Sequence, residues 1–167
     1  VPPRAEVVNV LYLGNESESD STQSLYYLQR AFQDTRRQAV RLARRSPDRR
    51  DDTVAMEASR SGDRRTASPR LAIVTSPLSE DRSNEMRQFL TNGGTALLVM
   101  NDASMATPLG ALINNPSLVA TEASVGNYAM FGAMDFTHPL LAPFADPRFG
   151  DFTKIRFWSH RTLNINQ

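Results

Sequence analysis

The fold turns on Leu71-Ala72-Ile73-Val74-Thr75, then Ser76-Pro77, a polar stretch punctuated by apolar residues, Asn92-Gly93-Gly94, and Thr95-Ala96-Leu97-Leu98-Val99-Met100. Short apolar runs bounded by turn residues read as buried strands. Between them, Met86, Phe89 and Leu90 fall on one face of a helix expected from about Ser79 to Asn92, and Glu80 and Asp81 suit the positive end of its dipole. Gly93 and Gly94 provide its stop, because glycine enters the left-handed region without a Cβ clash. A strand, helix and strand joined at this length form a parallel crossover. The expected class is therefore α/β.

Working outward, Glu6 to Leu13 (EVVNVLYL) is another apolar run, and it ends at Gly14. The polar loop Asn15 to Ser21 follows, with Asp20 or Ser21 as cap of a helix whose Leu25, Leu28 and Phe32 share a face. Gln38 to Ala43 reads as a second strand. Val7–Leu13, Leu71–Thr75 and Thr95–Met100 are expected as neighbouring parallel strands, with nearly complete burial at Val8, Val10, Ile73, Leu97 and Val99.

Arg44 to Arg70 is dominated by Arg, Asp and Ser and reads as a long surface excursion within a single domain spanning residues 1–167. Its arginines do not make a nucleic-acid patch, because Asp51 and Asp52 follow at once and no aromatic is interleaved for base stacking. Beyond Asn101, Pro108 to Ile113 suggests a helical turn or two and Tyr128 to Met134 a strand. Lys154 to Leu163 alternates as a half-buried strand would, with Ile155 and Phe157 inward. The segment 138–153, rich in Pro, Phe, Gly and Asp, reads as a structured loop. His138 to Trp158 as a whole is expected to pack against the sheet through Phe144, Phe149 and Phe152.

Composition narrows the chemistry. Nineteen basic residues against 18 acidic leave no chain-wide field to draw nucleic acid or an anionic membrane. Cysteine is absent, which removes disulfides, thiolate metal sites and cysteine nucleophiles together. No apolar run reaches the ~18–20 residues of a membrane span, and the start, Val1-Pro2-Pro3-Arg4, has neither a signal-peptide apolar region nor an initiator Met. The chain reads as a soluble piece of a larger protein.

Phe89-Leu90-Thr91-Asn92-Gly93-Gly94-Thr95-Ala96-Leu97-Leu98-Val99, with Asp135-Phe136-Thr137-His138-Pro139-Leu140-Leu141-Ala142-Pro143-Phe144 and its continuation to Trp158, resembles the class I glutamine amidotransferase-like domain of aerotolerance-type (BatA-like) bacterial membrane proteins. The resemblance implies a flavodoxin-like three-layer sandwich with a mainly parallel central sheet. It also implies a soluble domain of a membrane-anchored protein, with a periplasmic location as one option and a von Willebrand factor A domain as an adjoining partner. In that family further strands follow the one matching Lys154–Leu163. Truncation at the C-terminal end would then expose a sheet edge through which copies pair as a homo-oligomer.

True amidotransferases place a Cys on the turn after the strand that follows the Gly-Gly. Here that strand ends in Val99-Met100-Asn101-Asp102, so the glutaminase nucleophile is missing and no glutaminase activity is expected. The alternative is an unrecognised hydrolase using Ser104 or Asp102, with His138 or His160 as base, although no G-x-S-x-G motif is present. Two isolated histidines do not make a zinc site. Ligands of open α/β sheets bind beyond the carboxyl ends of strands, which makes Asn15, Glu16, Ser17, Met100, Asn101 and Asp102 the candidate binding crevice. Glu16, Glu18 and Asp20 would repel a phosphate there, and the loop lacks the glycine and final glutamate of a calcium loop. The expectation is a non-catalytic ligand- or protein-interaction domain without cofactor or metal.

Overall fold

The computed structural model describes residues 6–36, 38–48, 68–139, 141–146, 148 and 151–165. Four parallel strands, β1 (Glu6–Leu13), β2 (Gln38–Arg45), β3 (Leu71–Val74) and β4 (Thr95–Leu98), form one sheet in the order β2-β1-β3-β4. That order is the flavodoxin-like one for the first four strands. Val10 pairs with Leu71 and Ile73 with Leu97 in register, so the three strands expected as parallel neighbours are so.

Helices α1 (Ser24–Ala31) and α2 (Glu80–Thr91) cover opposite faces. Leu25, Leu28 and Phe32 of the α1 segment pack on Val10, Tyr12 and Ile73, while Met86, Phe89 and Leu90 of α2 pack on Leu13, Ala72 and Val74. The successive side chains of each strand thus serve two half-cores, as the pleat requires. The result is an α/β sandwich of flavodoxin-like type.

Helix α2 has both ends closed by its own sequence. The Ser79 side chain accepts from the Arg82 N–H at the N-terminus, with Glu80 and Asp81 in the first turn. At the other end Gly93, at φ 85°, donates to the Leu90 carbonyl, and Gly94 to that of Phe89, a Schellman pairing that satisfies two orphan acceptors. Ser79→Ala is expected to cost about 1 kcal/mol. A urea midpoint equal to that of the parent chain would show that the cap is carried elsewhere.

The excursion is shorter than expected at its start. Arg44 and Arg45 belong to β2, Pro47 is fully buried, and its carbonyl accepts from Ser79 N–H at 3.2 Å. The Arg82 side chain is buried beside this turn, with Nε donating to the Ser46 carbonyl at 3.3 Å and a guanidinium nitrogen 2.6 Å from Glu85. Residues 49–67 of the excursion lie outside the described ones.

Burial departs from expectation at Val8 near the start of β1 and along the run of β4. Val10 and Ile73 are buried, but Val8 and Val99 are only half-buried and Leu97 is 48% exposed. For Leu97 the reason is the reach of α1. Its apolar face lies over β1 and its neighbours, so the far strand keeps its α1-side surface open.

After β4 a 3₁₀ turn at Ala103–Met105 leads into α3 (Ala106–Leu112), close to the expected Pro108–Ile113. A second, antiparallel sheet then pairs β5 (Val119–Glu122) with β6 (Arg161–Asn164). Two expectations fail here. Tyr128–Met134 is not a strand but contributes a single bridge, Ala129 to Phe157, and only Arg161 to Leu163 of the Lys154–Leu163 run enters a strand. A 3₁₀ turn at Phe152–Lys154 ends on the first residue of that run and breaks the alternation, leaving Ile155 exposed. No helix among the described residues is long and apolar enough to cross a membrane.

Candidate functional site

The carboxyl ends of β1, β3 and β4 converge on Thr75. Its hydroxyl shares a hydrogen bond of 2.9 Å with Tyr12, both side chains being buried, and its N–H donates to the Leu13 carbonyl. The Asn101 side-chain amide donates to the Thr75 carbonyl at 2.7 Å. Burial pushes the Tyr12 phenol up to about 12, and the nearby Glu16 adds to the rise, while the bond to Thr75 and the Arg44 charge oppose it. Gly14 sits against this pair: a Cβ there would lie 2.1 Å from Thr75 Oγ1 and 2.9 Å from the Tyr12 ring. The glycine is required by internal packing rather than by approach of a phosphate.

Of the six residues read as a crevice, three lie on the loop after β1 and three after β4, with β3 between the two strands. Their chemistry is largely structural. A Glu16 carboxylate oxygen accepts from Leu25 N–H at 2.8 Å, closing the N-terminus of α1 across nine residues of sequence. The expected cap at Asp20 or Ser21 is therefore corrected: the helix begins later, its cap residue Gln23 makes no side-chain cap bond, and Asp20 instead accepts from Thr22 N–H and hydroxyl. Ser17 N–H donates to the Gln23 side chain at 3.2 Å. Asn15 is exposed.

Arg44 folds back over the loop, donating to the Glu16 carbonyl at 2.7 Å and to Glu18 at 2.9 Å. The three acids of the loop thus each have a partner within the chain.

Asp102 caps the 3₁₀ turn, accepting from Ser104 N–H at 2.7 Å. That backbone bond, then the Ser104 side chain and the Arg161 charge, hold its carboxyl below the usual range. The His138 carbonyl accepts from Leu141 and Ala142 N–H in a turn, and that of His160 accepts from Ala123 N–H where the β5–β6 pairing continues. Among the described residues no group of three or more His, Asp or Glu is placed to hold a metal ion.

Sequence reasoning missed Arg161. One of its guanidinium nitrogens donates to the Met100 carbonyl at 2.7 Å, another lies 3.0 Å from Glu122, and its buried Nε makes no hydrogen bond among the described residues. The side chain ties the β5–β6 sheet to the end of β4. Only the fold joins residues 61 apart in sequence, and no local signal in an alternating segment marks such a tether.

The aromatic tail gathers on itself. Phe152 lies 6.0 Å from Phe131 and from Phe144 and 6.1 Å from Phe136, and Phe131 and Phe157 meet edge to face at 4.9 Å. Among the described residues neither half-core of the main sheet includes one beyond Leu112, and the described aromatics of this segment form a satellite cluster rather than join the sheet core expected from the sequence. Phe149 lies outside the described residues. Met130, Phe131, Met134, Phe136, Phe152 and Thr153 line an open cavity of about 230 Å³, and Trp158 is 71% exposed.

No family model, curated protein or solved structure matches the chain.

Proposed function

We propose that this chain is a non-catalytic interaction domain. The observation that carries the reading is the use of the strand-end polar groups for internal bonds: Glu16 on Leu25 N–H, Asp102 on Ser104 N–H, and the Asn101 amide on the Thr75 carbonyl. An active site of this architecture instead presents such groups to a substrate held beyond the strands. The resemblance of residues 89–99 and 135–158 to amidotransferase-like domains of aerotolerance-type membrane proteins supports a place in a membrane-anchored assembly, with a von Willebrand factor A domain as the first partner to test.

Two measurements decide. The immobilised domain is expected to retain a von Willebrand factor A domain of such an assembly from purified solution. It is also expected to release no ammonia from glutamine and to leave acyl and phosphoryl ester probes intact. Turnover that disappears in both Ser104→Ala and Asp102→Asn, with the fold kept, would overturn the interaction reading in favour of a hydrolase.

A further inference from the structure

Asn92-Gly93 is the one Asn-Gly step in the chain, and it lies in the turn that ends α2. At such a step the asparagine side chain is open to attack by the next main-chain nitrogen, because glycine has no Cβ to shield that nitrogen and leaves the backbone free to turn. Both residues are exposed, and among the described residues a Cβ at Gly93 would meet no atom within 4 Å.

The turn itself holds the reaction back. Closing a ring from the Asn92 side chain onto the Gly93 nitrogen requires Asn92 Cβ to eclipse that nitrogen about the Cα–C bond. At the observed ψ of 13° the Asn92 main-chain nitrogen occupies that place instead. Gly93 N–H is also bonded to the Leu90 carbonyl and Gly94 N–H to that of Phe89, each at 3.0 Å. Rotating Asn92 into the reactive arrangement carries both donors off their acceptors. The ring therefore closes only from an opened turn, and helix ends open at a far smaller cost than the whole domain.

From this geometry we infer that Asn92 is a site of spontaneous deamidation, gated by opening of the last turn of α2. The Gly93 nitrogen gives its proton to solvent base and bonds to Asn92 Cγ, while the Cγ–Nδ2 bond breaks and Nδ2 leaves as ammonia. Water then opens the resulting succinimide. Cleavage between Cγ and the Gly93 nitrogen yields aspartate, and cleavage at the main-chain carbonyl yields isoaspartate, whose chain runs through Cβ and Cγ.

Both products weigh on the junction of α2 and β4. A carboxylate replaces a neutral amide at the negative end of the helix dipole, and the last turn of α2 holds no basic residue to offset it. Isoaspartate also adds a carbon to the main chain just before Gly94, which sits so close to the Phe89 ring that a Cβ there would lie 2.4 Å from it. Thr95 comes next, its N–H on the Arg70 carbonyl at 2.9 Å where β4 begins. The site is at the opposite end of β4 from Met100 and Asn101, so it does not depend on the interaction reading above.

The purified intact chain is incubated at mildly alkaline pH, and peptide mass spectrometry that separates asparagine, aspartate and isoaspartate follows Asn92 beside Asn127, an exposed asparagine that precedes Tyr128. Asn92 is expected to convert to both acids while Asn127 keeps its amide. In the chain unfolded by urea, conversion of Asn92 should run at least about tenfold faster, the factor that the net worth of one or two hydrogen bonds supplies. Asn92→Asp should unfold at a lower urea midpoint than the parent, and an equal midpoint would remove the cost assigned to the junction. A native chain in which Asn92 keeps its amide as long as Asn127 overturns the proposal. So does conversion as fast in the native chain as in the unfolded one, which would mean that the turn gates nothing.

Discussion

Gly14→Ala is expected to remove a large part of the stability of the domain, about 2–4 kcal/mol, because its methyl group has nowhere to go. The new Cβ would stand 2.1 Å from Thr75 Oγ1 and 2.9 Å from the Tyr12 ring. Both neighbours are fully buried, and Tyr12 is held in the half-core under α1 with Val10, Leu25 and Ile73. Relief would have to come from moving β1 relative to β3, yet Thr75 N–H is bonded to the Leu13 carbonyl at 3.0 Å. The clash with a single hydroxyl gives a clean control. Thr75→Ala removes Oγ1 and by itself loses the Tyr12 bond, costing about 1–2 kcal/mol. The double variant should then be more stable than the sum of the two losses predicts, which urea denaturation of the four chains measures as a coupling energy. Simple additivity would show that the Tyr12 ring or the backbone, and not the hydroxyl, makes the site intolerant. A Gly14→Ala midpoint equal to the parent's would remove the packing account of this glycine altogether.

The parts of this molecule legible in the sequence are those with local causes. β3, α2 and β4 are marked by an apolar run, a serine cap with acids behind it, a glycine pair and a second apolar run, and each signal acts within a few residues of itself. Burial is different. Leu97 and Ile73 occur in similar apolar runs and pair side by side, yet Ile73 is buried and Leu97 is 48% exposed. Periodicity tells which face a residue takes, whereas the helix covering that face is set by the path of the chain. The tail shows the opposite error. Alternation in Lys154–Leu163 suggested one strand, but only Arg161 and the residues after it are laddered, and their partner β5 was unmarked because Val119-Ala120-Thr121-Glu122 is short and half polar.

The candidate site divides in the same way. That its residues lie at strand ends follows from the α/β order, and the structure places all six there. What each group does depends on a partner far along the chain: Glu16 on Leu25, Arg44 on Glu18, Asn101 on Thr75, Arg161 on Met100. A carboxylate in a polar loop has the same local sequence whether it caps a helix, holds a cation or faces solvent. In the sequence Tyr12 is one apolar residue of a strand, and its hydroxyl finds a buried partner only where β3 brings Thr75 alongside.

That buried phenol should govern how the domain fails in alkali. Burial, the largest cause, raises its ionisation to about 12 in the folded chain, against about 10 when unfolded. Below the unfolded value both states hold the proton and the phenol makes its full contribution. As pH rises from about 10 toward 12, only the unfolded state releases the proton, so stability falls, by about 2–3 kcal/mol in all at roughly 1.4 kcal/mol per unit. Other tyrosines and the basic residues titrate in the same window, and comparison with Tyr12→Phe cancels their part. The phenylalanine chain loses the bond to Thr75 and should be less stable near pH 8 by about 1 kcal/mol. It has no buried phenol to ionise, so the gap should close and then reverse as pH approaches 12. Glu16 and Arg44, the charged groups that act on Tyr12, remain in both chains and do not supply the difference. Unfolding free energies for the two chains, measured by urea at steps from about pH 8 to 12, test the account. A gap that stays constant across that range would mean that the Tyr12 hydroxyl loses its proton as easily in the folded chain as in the unfolded one, and that the Tyr12–Thr75 pair is open to water.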